Sequence, residues 1–370
     1  MTDTEGSLQN RYRTYLREFI EGATKPSIAA LLGTLGVAGV VFLACLTVIT
    51  PKFMATTGYG YFMTNPVDEF AYLTSETLRI VNTNPQPVSV ILVGTSSTRE
   101  ALAGTHDLEQ LLAAKIQQPV NVYDLTSGNL NHWEAACMLD SLRGHFHGVA
   151  VLEISTLMLA YGHDRLQIIA DQPRLALDCP AFTEELRLAS ITVPPTSANY
   201  FLRHYKFFIS RSHAILLNLI RGPVVRNPNK IAGWGAPSAQ RRKMGQQRFL
   251  EVLDVYQANS PPNFAVYQRM MAASQANGQV KVALVEALRN PEIDEIMFTT
   301  KPAGKQVYAE YQATVTQFAQ QNATPYWDIG SVAHFKAADF SDHTHLQSPT
   351  ARQQYTEMLA THLAELLTQN

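Results

Sequence analysis

Five short apolar runs punctuate the chain, each bounded by turn-forming or polar residues: Val88–Val93, Val120–Asp124, Val149–Ile154, Val280–Val285 and Pro325–Ile329. Runs of this length, rich in Val, Ile and Leu, predict strands buried on both faces. Between them, apolar residues recur at helical spacing over Leu108–Ile116, Trp133–Leu142, Gln306–Gln320 and Thr350–Leu367. Strands that alternate with helices predict crossover units, and hence an α/β fold whose parallel sheet is covered on both faces. The interval from Arg165 to about Gln275 breaks the alternation and reads as an insertion. It holds a helical piece, Tyr200–Ile220, and a polar loop, Arg226–Gly245, that carries Arg226, Lys230, Arg241, Arg242 and Lys243. That loop fits either a lid or groove for an anionic or carbohydrate substrate, or a solvated surface loop.

A different pattern precedes all of this. Ser27–Pro51 contains no charged residue, and about 20 apolar residues in a helix suffice to cross a bilayer. The run predicts one transmembrane helix over 27–51. Arg11, Arg13, Arg17 and Lys25 stand before it and only Lys52 closely after it. Orientation follows that bias, which makes 1–26 a cytoplasmic tail and places 52–370 outside. A cleaved signal peptide would be shorter, with a small-residue cleavage site. Phe42–Cys45, FLAC, faintly matches a lipoprotein processing site, yet the LTVIT that follows would leave a hydrophobic mature end. Upstream, Leu8, Tyr12, Tyr15, Leu16, Phe19 and Ile20 fall at helical spacing, which suits a short amphipathic helix on the inner membrane face as well as a disordered tail.

Composition agrees with a membrane anchor. Charged residues make up 16% of the 370 residues, against roughly a quarter in a soluble domain. The net charge of −2 offers no basic face for nucleic acid. Cys45, Cys137 and Cys179 are too few for a disulfide scaffold and match no zinc spacing. Cys137 falls on the apolar face of its helix with Ala136 and Leu139, so it reads as a buried free thiol, although a bond to Cys179 outside the cytoplasm is permitted.

The chemistry-bearing residues cluster in two stretches. In Ile91–Glu100, ILVGTSSTRE, a strand ends at Gly94 and a helix follows. Ser97 with Glu100 three residues on forms a capping-box pattern, which gives Ser97 a structural role. Ser96, one position earlier, is left in the turn above the carboxyl end of the sheet, where ligands of open α/β sheets bind. A serine needs a base that is itself oriented by a third group. The C-terminal DFSDHTHLQSP supplies both, Asp342 and His345 three residues apart, just before the final helix.

On these residues the chain resembles the SGNH (GDSL-like) hydrolases. Gly94-Thr95-Ser96 matches the family's Gly-Asp-Ser block, with Thr95 in place of Asp. Asp342, His345 and Leu346 match its Asp-x-x-His-Leu block. Gly128 in LTSGNLNHW matches the glycine of the oxyanion hole. The resemblance implies a flavodoxin-like three-layer α/β/α domain, a catalytic triad of Ser96, His345 and Asp342, and an oxyanion hole built from the backbone N–H groups of Ser96 and Gly128. The family's Gly-x-Asn-Asp block is missing after VAVLEISTLMLAYGHD, which leaves one oxyanion donor unassigned, with Asn129 or Asn131 as substitutes. The anchor-plus-domain layout resembles proteins of the bacterial cytoplasmic membrane that act in the periplasm on exopolysaccharide or other envelope polymers, often beside a multispanning acyltransferase. It implies a serine esterase or O-acyltransferase for acyl, chiefly acetyl, esters, with no cofactor and no metal. The alternatives are an inactive membrane-anchored scaffold that binds polysaccharide or an acyltransferase, and a metal site through Asp342, His343 and His345 with His334.

Overall fold

The computed structural model describes residues 14–15, 27–58, 69–85, 87–193, 196–221, 239–276 and 278–369. Almost all of the N-terminal amphipathic pattern, and the polar stretch as far as residue 238, lie outside the described residues. Two units are distinguishable, Met1–Thr50 with Ser197–Arg203, and Pro51–Thr196 with His204–Asn370.

In the first unit, Ile28–Val48 forms helix α1, 21 residues long and without a buried side chain. At 1.5 Å per residue it measures about 31 Å, enough to cross the hydrocarbon core of a bilayer. Ser27 caps it by accepting from Ala30 N–H at 3.1 Å. Ser197–Arg203 belongs with it: Asn199 Nδ2 donates to Leu46 O at 2.9 Å, and the Phe42 and Phe201 rings meet edge to face at 6.2 Å.

The second unit is built on five parallel strands, β1 Val88–Gly94, β2 Val120–Thr126, β3 Gly148–Ile154, β4 Val280–Glu286 and β5 Tyr326–Trp327, in the order β2-β1-β3-β4-β5. This is the flavodoxin-like order, whose switch point lies between β1 and β3. The alternation of side chains along each strand divides the interior into two cores. Ile91, Val93, Ala150, Leu152, Val282 and Leu284 face one. Val90, Leu92, Val149, Val151, Ala283 and Val285 face the other.

Helices close both faces. The first core takes residues of α2 Glu69–Thr83, α5 His132–Leu142, α7 Ala239–Gln275 and α9 Pro302–Gln321; the second takes α4 Thr105–Ile116 and α10 Pro349–Thr368. The six-residue α3, Ser96–Ala101, links β1 to this second layer, and α8, Pro291–Thr300, follows β4.

Three features depart from the sequence reading. Tyr200–Ile220 is divided at His204 into Tyr200–Arg203 and Tyr205–Arg221. The region read as an insertion ends in α7, a 37-residue helix that starts inside the stretch read as loop and runs through Pro261 and Pro262. Its apolar face, with Tyr256, Phe264, Tyr267 and Met271, lies in the first core, so α7 is the return limb of the β3–β4 crossover. Finally, Cys137 of α5 is disulfide-bonded to Cys179, which immediately precedes α6, Pro180–Leu188, with Cα atoms 4.9 Å apart. A free thiol was the expectation. The packing of α6 on α5 brings the two residues together across 42 positions, which local spacing does not show.

Candidate active site

β1 ends at Gly94, and the turn that follows is held by a carboxylate from the neighbouring strand. Glu153, buried near the end of β3, accepts from Thr95 N–H (2.7 Å), Thr95 Oγ1 (2.7 Å) and Thr98 Oγ1 (2.6 Å). A Cβ at Gly94 would lie 2.8 Å from Glu153 Cβ, so only glycine lets β1 and this side chain approach so closely. With its proton given to Glu153, the Thr95 hydroxyl accepts from Ser97 N–H at 3.2 Å and caps α3. Thr95, and not Ser97, is therefore the N-cap, and the capping-box reading is corrected by two residues. Ser97 Oγ donates instead to Thr344 O at 3.3 Å. Glu100 is buried beside Arg99, Arg352 and His345, and burial pushes its carboxyl above the usual range.

Ser96 opens α3, half-buried at the switch point of the sheet. Its Oγ lies 2.8 Å from His345 Nε2. His345 Nδ1 lies 2.7 Å from Asp342 Oδ2 and 2.9 Å from Oδ1. A carboxylate at Nδ1 selects the tautomer with Nδ1–H, which leaves the Nε2 lone pair to accept from the serine. Burial lowers the His345 pKa, but the Asp342 hydrogen bond and the Glu100 charge outweigh it and hold the imidazole above its ordinary value. Burial raises Asp342, yet the His345 hydrogen bond and the amide of Thr344 hold it far below the carboxylate range.

The loop that carries these two residues is held by hydrogen bonds from within and from below. Asp342 Oδ1 accepts from the N–H groups of Thr344 (2.9 Å) and His345 (3.0 Å), while Ser341 N–H donates to His345 O at 2.8 Å. From below, Asn290 N–H donates to His343 O at 2.8 Å and Asn290 Nδ2 to Asp342 O at 3.2 Å. Asn290 also caps α8 by accepting from Glu292 N–H at 3.0 Å. The loop after β4 thus supports the loop after β5.

The loop after β2 is differently engaged. Ser127 N–H donates to Gly94 O at 3.1 Å, which sets this loop beside the Ser96 turn. Gly128 N–H, assigned by resemblance to the oxyanion hole, donates to Glu69 Oε2 at 2.6 Å. The same carboxylate accepts from Ser127 Oγ (2.8 Å) and from Arg99 Nη1 (2.5 Å). The Gly128 amide is thus engaged by Glu69 in this structure. The Asn131 side chain is engaged in its own helix cap. Its Oδ1 accepts from Glu134 N–H (3.0 Å) and its Nδ2 donates to Glu134 Oε2 (2.7 Å), the capping box of α5. Asn129 has a left-handed backbone with φ of 62°, and its carbonyl accepts from Arg174 at 3.0 Å.

Among the described residues no three His, Cys, Asp or Glu side chains are grouped to hold a metal ion. A separate cleft, lined by residues that include Trp133, Leu166, Asn263 and Arg269, has no hydroxyl or thiol side chain in its lining.

Four residues of the site were not singled out in the sequence: Glu69, Arg99, Glu153 and Asn290. Glu153 leaves one signal, a lone charge in the otherwise apolar strand run VAVLEI, where a buried carboxylate requires partners. Asn290-Pro291 is a helix-start pattern, but nothing in it indicates contact with Asp342.

No protein-family model matches the chain, and no curated protein matches it. Among solved structures, it is similar to a protein from Slackia heliotrinireducens proposed to be an SGNH hydrolase, with 9% sequence identity and a TM-score of 0.30 over 75% of this chain and 98% of that one. A likeness at that level carries no argument about the reaction.

Proposed function

We propose that the chain is a membrane-anchored serine esterase or O-acyltransferase of the SGNH kind that acts on acyl esters, chiefly acetyl, of a cell-envelope polysaccharide. The observation that supports it most is the unbroken hydrogen-bond series from Ser96 Oγ through His345 to Asp342. In this reading the Ser96 hydroxyl passes its proton to His345 Nε2 as Oγ attacks the ester carbonyl. Asp342 stays ionised, holds the imidazole in place and stabilises the imidazolium. The tetrahedral adduct collapses, and His345 returns the proton to the departing alkoxide. Water or a sugar hydroxyl then takes the acyl group from Ser96 by the same steps in reverse.

The Lys/Arg bias around α1 supports a cytoplasmic N-terminus. The Cys137–Cys179 bond supports an oxidising compartment, such as the periplasm, for the domain. A multispanning acyltransferase that hands on the acyl group fits the anchored layout. A second reading, an inactive scaffold, is favoured by one observation, the Glu69 carboxylate on the Gly128 amide.

The test is covalent labelling of the full-length protein by a fluorophosphonate, read by mass spectrometry. The enzyme reading expects one adduct on Ser96, absent from Ser96→Ala. Wild-type protein that takes no label, and whose Ser96→Ala variant supports normal polymer acylation in cells, would leave the scaffold reading.

A further inference from the structure

Arg99 is 5% exposed, and its Nε has no hydrogen-bond partner among the described residues. It stands three positions after Ser96 in α3, on the same side of the helix. Its Nη1, the fully buried Ser127 hydroxyl and the Gly128 N–H converge on a single carboxylate. Burial alone would push the Glu69 carboxyl up, but the Arg99 charge and the donors of Ser127 and Gly128 outweigh it, so Glu69 is held ionised. These groups form a built pocket for a negatively charged oxygen, next to a nucleophile that needs one, with an internal anion already inside.

We propose that Glu69 is a removable stand-in for the oxyanion of the reaction, and that the acyl oxygen of the substrate enters the Arg99–Ser127–Gly128 pocket when the Glu69 side chain swings out. The inference rests on the acyl-transfer reading. As the Ser96 Oγ–carbon bond forms, the carbonyl π pair moves onto oxygen and the serine proton moves to His345 Nε2. The new negative oxygen then takes the donors that Glu69 now holds. Arg99 supplies the charge-stabilising contact left unassigned by the absent Gly-x-Asn-Asp block. While Glu69 is in place, the donors are used and its charge repels the developing oxyanion, so the resting site is closed.

Full-length protein in detergent micelles provides the test, as wild type, Glu69→Gln, Glu69→Ala and Glu69→Ala/Arg99→Gln. A fluorophosphonate reports on the pocket, because negative charge develops on its phosphoryl oxygen as Ser96 Oγ adds to phosphorus and before fluoride leaves. Labelling of Ser96 should be at least about tenfold faster in Glu69→Ala, since a single donor in such a pocket is worth about 10²–10³ in rate. Sodium acetate should refill the vacated pocket, slowing labelling of Glu69→Ala and raising its unfolding temperature, with neither effect in wild type or in the double variant. Glu69→Ala that keeps the wild-type circular dichroism, labels no faster and ignores acetate would overturn the proposal and make Glu69 a structural clamp. Should Glu69→Ala fail to fold, Glu69→Gln, of equal size and no charge, decides by the same comparison of labelling rates. If Ser96 takes no label in any variant, the nucleophile reading fails on its own. Acetate stabilisation of Glu69→Ala that disappears without Arg99 would still establish the pocket, and its absence would remove it.

Discussion

At the carboxyl edge of the sheet the loops after β1 and β2 lie side by side, tied by the Ser127 N–H on Gly94 O, yet they are differently prepared. Around Ser96 every group that would move a proton is already in line, and the turn beneath is fixed by Glu153. Around Gly128 the amide, the Ser127 hydroxyl and Arg99 Nη1 are all engaged by Glu69. Proton transfer and charge stabilisation are separable parts of acyl transfer, and the second usually contributes the larger share of the rate. A site can therefore hold a well-formed triad and still be at rest. The contrast also explains why geometry at the serine alone does not decide between an enzyme and a scaffold.

The contrast breaks first on the proton side. Asp342→Asn should slow fluorophosphonate labelling by about 10⁴-fold, the size of effect seen when a triad loses its orienting carboxylate. The same variant sharpens the pH argument. His345 must be neutral to act as a base, and its pKa is held above the ordinary 6.5, burial lowering it and Asp342 with Glu100 raising it. Labelling of the wild type should rise with pH through a midpoint above 6.5, whereas the residual labelling of Asp342→Asn should rise through a lower midpoint. A midpoint unmoved by the substitution would mean that another group governs the profile.

Smaller effects come from the scaffold under each half. Glu153→Gln leaves a nitrogen facing the donors of Thr95 and Thr98, and an orphaned buried donor costs about 1–3 kcal/mol, measurable by urea unfolding. Because Thr95 positions Ser96, labelling should fall as well, by up to about 10²-fold for a 1 Å displacement of the nucleophile. Smallest of all, Ser97→Ala removes only the bond to Thr344 O, a loss of about 0.5–1.5 kcal/mol with labelling within a few-fold of wild type. A large loss of labelling in that variant would move the nucleophile to Ser97.

The parts that could be read from the chain are those whose signals are local. β1 to β4 alternate between two cores, and the boundaries of their apolar runs lie within two residues of the strands. β5 is only two residues long, and the predicted run over Pro325–Ile329 overlaps the start of the short helix Ile329–Ala333. α7 was hidden because Pro261 and Pro262 imitate a break and its N-terminal turns are polar. Within the site, Ser96 sits in a recognisable local pattern at the end of β1, and Asp342 and His345 in one just before α10. Glu69 and Glu153 act through partners 59 and 58 positions away, and Asn290 through one 52 away. No spacing rule along the chain encodes such pairs; only the strand order that brings the loops together reveals them.

The Ser96–His345 hydrogen bond closes a loop of 249 residues. Loop-closure entropy grows only with the logarithm of length, so the separation costs little stability. Its consequence is one of timing. A chain synthesised from its N-terminus presents the serine early, on a strand whose β3 partner follows soon after, whereas β4 has to wait for all of α7. His345 arrives last, on a loop that can be held only once Asn290 has been placed after β4. During that interval Ser96 lacks the imidazole that faces it in the folded protein, so the Ser96–His345–Asp342 series is complete only with the finished sheet.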